Sequence, residues 1–69
     1  MYESLKAEMN AQGIKAYTLA KRAEIVPSDL YQAIKGTRPM FPNWRKRIAA
    51  VLGKTEEALF PESEAIKND

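Results

Sequence analysis

The fold of this chain is decided by residues 14–36, IKAYTLAKRAEIVPSDLYQAIKG. Apolar or small residues recur in this stretch at helical spacing, in two groups. The first group is Ala16, Leu19, Ala20 and Ala23, and the second is Leu30, Ala33 and Ile34. Because so short a connection makes two helices cross, we expect Ile25 to fill the angle between them. The stretch therefore predicts a helix-turn-helix.

Further helices are predicted on both sides of this unit. Tyr2, Leu5 and Met9 recur at helical spacing and predict a first helix over residues 2–12. The second and third helices are expected over residues 16–23 and 27–35, a fourth over residues 42–52, and a short fifth after a Thr55 cap. Glycines that stop helices follow the first, third and fourth of these segments. A proline opens the third, where its fixed φ is already helical.

These segments predict an all-α fold, a compact domain of four to five helices over residues 1–61. Residues 62–69 are expected to form a flexible acidic C-terminal tail. The residues expected to share one core are Leu5, Met9, Leu19, Ala20, Ile25, Leu30, Ile34, Ile48, Leu52 and Leu59. Ala20 is expected to be the least tolerant of them, because a larger side chain would hold two helices apart.

The composition argues against several classes of function. The chain has no cysteine and no histidine, so it lacks a disulfide framework, thiolate metal ligands and the usual proton shuttle of neutral pH. We therefore expect no enzymatic activity, no cofactor and no metal. No stretch resembles a membrane span or a signal peptide, so a soluble cytoplasmic setting is expected.

Charge is distributed unevenly along the chain. Residues 13–54 carry nine Lys or Arg against two acids, whereas residues 1–12 have a net charge of −1 and residues 55–69 of −4. Basic charge is thus concentrated around the predicted helix-turn-helix. A face that binds a polyanion requires such a concentration, because Lys and Arg neutralise phosphates and release counterions. A solvated basic surface would give the same distribution, and charge alone does not choose between them.

Three blocks of the sequence resemble the lambda-repressor-like helix-turn-helix family of the Cro and Xre type. The first block matches the family pattern at Leu19, Ala20, Ile25, Ser28, Leu30, Ile34 and Gly36. The second is Thr37-Arg38 together with IAAVLG at residues 48–53, and the third is Leu59-Phe60. The resemblance implies a small Cro-like repressor of phage or prophage origin. Such a protein binds double-stranded DNA sequence-specifically at a palindromic operator, in the bacterial host cytoplasm and associated with the nucleoid.

The resemblance also implies a role for particular side chains. Residues 27–35 would be the recognition helix in the major groove. The side chains expected to read bases are Pro27, Ser28, Asp29, Tyr31 and Gln32. The amide of Gln32 pairs well with adenine, whereas Asp29 would either accept from a cytosine amine or interact with the helix terminus. The residues expected to contact phosphates are Lys15, Lys35, Thr37, Arg38 and Asn43.

The sequence departs from the family at positions that leave a second function open. Ala16 stands where relatives usually have a phosphate-binding glutamine, and Lys15 either takes over that contact or remains solvated. Glu24 stands where relatives usually have glycine, which leaves the strict turn geometry open, because a non-glycine residue at positive φ costs ~1–2 kcal/mol. Together with Asp29, Tyr31 and the acidic tail, Ala16 favours an alternative. In that reading the chain is a protein-binding modulator or anti-repressor that keeps the fold but binds another repressor.

A weak homodimer is expected if the chain binds a palindrome. Its contact must lie outside the recognition helix so that both subunits reach the DNA. The candidates for the dimer contact are Leu59, Phe60 and Ile66, near the acidic end of the chain.

Overall fold

The computed structural model describes residues 2–61, in which there are five helices and no strand. The helices are α1 (Glu3–Gln12), α2 (Ala16–Arg22), α3 (Pro27–Lys35), α4 (Pro42–Leu52) and α5 (Glu56–Leu59). The all-α class is confirmed, and α1 to α4 begin and end within one residue of the expected bounds. The tail at residues 62–69, which includes the dimer candidate Ile66, lies outside the described residues. Within residues 2–61, no helix is long and apolar enough to cross a membrane.

The helix ends follow local sequence chemistry. Pro27 and Pro42 open α3 and α4, where a missing N–H has no consequence. Gly36 closes α3 at a φ of 95°, and the Thr37 N–H behind it donates to the Gln32 carbonyl at 2.9 Å. Thr55 Oγ1 caps α5 by accepting from the Ala58 N–H at 3.1 Å. α1 begins one residue later than expected because Tyr2 has a left-handed backbone.

The core gathers side chains from all five helices and from the loop before α4. Of the residues expected there, all but Ile34 are buried. Ile34 is a correction: it is only partly buried, because α3 packs mainly on α2 and leaves this side chain at the edge of the cluster. Met40 is a core residue that the helical periodicity missed. It lies in the loop, from which a flexible thioether can still reach into the core.

A polar contact holds α1 against the end of α4. Gln12 Nε2 donates to the Leu52 carbonyl at 2.8 Å and to Glu8 Oε2 at 2.7 Å. Lys54 Nζ lies 4.0 Å from the same Glu8 oxygen. The carbonyls of the last turn of a helix have no partner within the helix, so this amide satisfies one of them.

Ala20 provides the first test of the packing. It is fully buried in α2, the helix on which α3 packs. Replacing it, Ala20→Leu, is expected to lower the free energy of unfolding by ~1–3 kcal/mol, because extra methyl groups force the helices apart. Urea denaturation measures this loss. Ala50→Leu, at an exposed position of α4, is the matched control and should change stability by less than about 0.5 kcal/mol. Equal losses in both variants would contradict close packing at Ala20.

Candidate nucleic-acid interface

The outer face of α3 is set by what its inner face packs against. Leu30 and Ala33 are fully buried, which turns Ser28, Gln32 and Lys35 outward to solvent. Tyr31 is 53% exposed on the same helix. α3 thus presents a hydroxyl, an amide, an ammonium and a phenol on one continuous surface. All of these groups can donate hydrogen bonds.

The connection between α2 and α3 fixes how α3 is presented. Glu24 has a φ of 61°, so the turn keeps a left-handed backbone although the residue is not glycine. Ile25 is buried, and its N–H donates to the Ala20 carbonyl at 2.8 Å. Arg47 Nη1 of α4 donates to the Glu24 carbonyl at 3.4 Å. The connection is therefore held by the buried side chain of Ile25 and by the guanidinium of Arg47.

Four of the predicted site residues, Asp29, Gln32, Thr37 and Arg38, meet along one side of α3. Arg38 Nε donates to Gln32 Oε1 at 3.3 Å and lies 3.8 Å from Asp29 Oδ1. Asp29 is thus an ion-pair partner of Arg38, a role that neither of its expected alternatives included. Thr37 joins the cluster through Oγ1, which donates to the Gln32 carbonyl at 3.1 Å.

The other predicted residues lie apart from this cluster. Lys15 is exposed at the N-cap of α2. It lines a groove of about 440 Å³, and other side chains that line this groove are Lys6, Met9, Ile14, Tyr31 and Ile34. Asn43 is exposed in the first turn of α4 and has no side-chain partner within residues 2–61. Pro27 is partly buried at the first position of α3. The predicted phosphate contacts therefore lie at the N-cap of α2, on α3, in the loop after α3 and on α4, and their roles stay predictions.

Two arginines that the sequence analysis did not single out support this surface. Arg45 Nη1 donates to the Met40 carbonyl at 3.0 Å and so fixes the loop between α3 and α4. Arg47 supports the Glu24 turn as described above. No local pattern in the sequence marks either contact, because each joins a side chain to a backbone carbonyl of another element.

Lys21 and Tyr17 form a cation–π pair on α2, with the ammonium 5.6 Å from the centre of the ring. Their spacing of four residues on a helix would have indicated this contact.

The basic character predicted from the sequence persists in the folded region. Residues 2–61 carry ten Lys or Arg against six Asp or Glu. Asp29 and Glu8 face Arg38 and Lys54 respectively. Lys15, Arg22, Lys35 and Lys46 have no acidic partner within this part of the chain. No carboxylate within residues 2–61 therefore competes with an anionic partner for these four side chains.

The structure corrects one of the expected dimer contacts. Leu59 is 1% exposed and belongs to the core, so its side chain cannot reach a second subunit. Phe60 is partly buried, with its ring edge against Tyr2 at 5.9 Å between centroids. The large apolar residues that are exposed in the described region are Tyr17, Val26, Tyr31 and Phe41.

Comparisons with known proteins do not identify the function of this surface. Neither family models, nor curated proteins, nor solved structures give a match to this chain. In the described part of the chain, no three His, Cys, Asp or Glu side chains come together as metal ligands would. The candidate site is therefore defined by the outer face of α3 and the basic residues around it.

Replacing Glu24 with glycine tests whether the left-handed backbone at this position is strained. A side chain at positive φ costs ~1–2 kcal/mol of stability, and Glu24→Gly removes this cost. Glycine also has a larger entropy in the unfolded chain, which offsets part of the gain. We expect this variant to be more stable by ~0.5–1 kcal/mol in urea denaturation. Lys46→Gly, at an exposed helical position of α4, should instead lose about 0.5–1 kcal/mol. A loss of stability in Glu24→Gly as well would show that the turn does not carry this strain.

Proposed function

We propose that this chain is a sequence-specific regulator that binds double-stranded DNA, a Cro-like repressor of the lambda-repressor-like helix-turn-helix family. The observation that carries the proposal is the exposed polar face of α3, which the packing of Leu30 and Ala33 turns outward next to unpaired basic side chains. A helix about 10 Å wide fits the major groove and can bring such side chains to base edges. In this proposal α2 and α3 are the two helices of the motif, and α3 is its recognition helix.

The side chains divide into two kinds of contact. Ser28, Tyr31 and Gln32 face outward from α3 and would meet base edges, with Pro27 and Asp29 beside them. Lys15 and Lys35, which have no acidic partner within residues 2–61, would meet phosphates. Thr37, just after α3, and Asn43, in the first turn of α4, would add neutral donors to the DNA backbone. Phosphate contacts position the protein, whereas base contacts carry sequence preference.

A dimer accounts for the affinity that one small domain lacks. A single module contacts few base pairs, and two copies on half-sites one helical turn apart would bind a palindrome together. With Leu59 in the core, the proposed contact is reduced to the exposed edge of Phe60 and to Ile66. Such a dimer would be weak in solution and would form mainly on the operator, where the DNA raises the effective concentration.

A titration with salt tests DNA binding and the division of roles. Affinity for random duplex DNA is expected to fall steeply with salt, because each phosphate contact releases counterions. Lys35→Ala should weaken specific and random DNA together and reduce the salt slope by about one unit. Gln32→Ala should weaken only the selected operator, by ~1–3 kcal/mol, because it removes a base contact. Fluorescence anisotropy measures both. Identical effects of the two variants on both DNAs would contradict these roles.

A failure to bind any duplex at low salt would favour a second function. Tyr17, Val26 and Tyr31 are each more than half exposed, and aromatic side chains of this kind are enriched at interfaces between proteins. The chain would then be a modulator or anti-repressor that binds another repressor through this surface. Binding to DNA with a normal salt slope would exclude this alternative as the sole function.

The C-terminal end supplies a test of the dimer. A chain ending at Pro61 should retain its affinity for a single half-site, because the buried Leu59 and the rest of the core remain. It should lose cooperativity on the full palindrome, because the contact through Ile66 is removed. Electrophoretic mobility shifts on half-site and full-site duplexes separate these two quantities. Unchanged cooperativity after truncation would place the dimer contact elsewhere on the domain.

A further inference from the structure

The contact between Arg38 and Gln32 bears on which base the α3 surface prefers. Arg38 Nε lies 3.3 Å from Gln32 Oε1 and 3.8 Å from Asp29 Oδ1, so one guanidinium touches two side chains of α3. We infer that Arg38 is a positioning residue that turns Gln32 into a hydrogen-bond donor and so directs the site to guanine. This inference rests on the proposed DNA-binding function and names the base that this function would select.

The guanidinium decides which way the Gln32 amide faces. Arginine has five N–H donors and no acceptor, so the amide atom that faces it must be the carbonyl oxygen. Oε1 therefore faces Arg38, and Nε2 of the same amide faces away from it. The ambiguity between oxygen and nitrogen that affects a glutamine side chain is removed at this position by its partner.

The position of Arg38 is itself fixed by its neighbours. Asp29 and Gln32 are three residues apart on α3, so they lie on adjacent turns of one face. Their oxygens approach the same Arg38 nitrogen from the helix side. Thr37, the residue before Arg38, is held to the Gln32 carbonyl through both its N–H and its hydroxyl. Both the backbone leading to Arg38 and the side-chain head are thus tied to α3.

This arrangement opposes the usual pairing of glutamine with adenine. That pairing needs the amide oxygen to accept from the adenine amino group while the amide nitrogen donates to N7. Here Oε1 of Gln32 already accepts from the guanidinium of Arg38, so the adenine amino group, which is also a donor, would have to share it. Guanine instead offers two acceptors, N7 and O6, in the major groove. Nε2 of Gln32, the amide group that faces away from Arg38, can donate to either of them.

Selection of duplexes from a random library tests the preference for guanine. The wild-type chain should select guanine at the position whose preference is lost in Gln32→Ala. Arg38→Ala frees Oε1, so the ratio of guanine to adenine affinity at that position should fall by about tenfold or more. Lys46→Ala, which removes one exposed positive charge on α4, is the matched control and should leave this ratio unchanged. If Arg38→Ala weakened all sequences together with an unchanged ratio, Arg38 would be a phosphate contact and the inference would be wrong.

A measurement without DNA separates the inference from the function on which it rests. In ¹H–¹⁵N spectra of the full chain, the Gln32 side-chain amide signals should shift in Arg38→Ala and stay in place in Lys46→Ala. Unchanged signals in Arg38→Ala would overturn the contact, even for a chain that binds DNA. Shifted signals in a chain that binds no duplex at low salt would support the contact, while overturning the proposed function and the assignment of guanine with it.

Discussion

The orientation of α3 depends on the short connection that follows Ala23. Within three residues the chain adopts a left-handed backbone at Glu24, buries Ile25 and extends again at Val26. Each of these conditions depends on the others, because Ile25 reaches the core only after the left-handed step. The burial of Leu30 and Ala33 follows from this geometry, and so does the exposure of the opposite face of α3. The candidate surface is thus a consequence of the turn.

Much of the fold could be predicted because its signals are local. The bounds of α3 and α4 are marked by a proline at the first position and a glycine after the last. These residues act through their own backbone, so a single sequence shows their effect. The buried stripes of Leu19, Leu30 and Ile48 repeat at the helical period and were likewise predicted. The positive φ of Glu24 was left open by the sequence, because nothing in the residue itself favours the left-handed region.

The remaining features depend on which helices meet, and periodicity does not show that. Ile34 has the spacing of a core residue but lies where α3 passes the edge of the cluster. Leu59 was expected both in the core and at a dimer contact, and the packing of α5 on α1 and α4 supports only its place in the core. The bond from Gln12 to the Leu52 carbonyl joins residues 40 positions apart. Arg38 is six residues from Gln32, beyond a glycine turn, so its contact with the amide depends on how that turn folds back.

The ring contact between Tyr2 and Phe60 joins the start of α1 to the end of α5. The residue before α1 and the residue after α5 meet there, with 5.9 Å between ring centroids and 80° between ring planes. Neither of these helices makes a substantial contact with α3. A fusion partner attached before Tyr2 or after Phe60 would therefore enter at one shared corner of the molecule. The same proximity would let a short peptide link join Tyr2 to Phe60 directly, so that a circular permutant of residues 2–60 could be opened in a loop between helices.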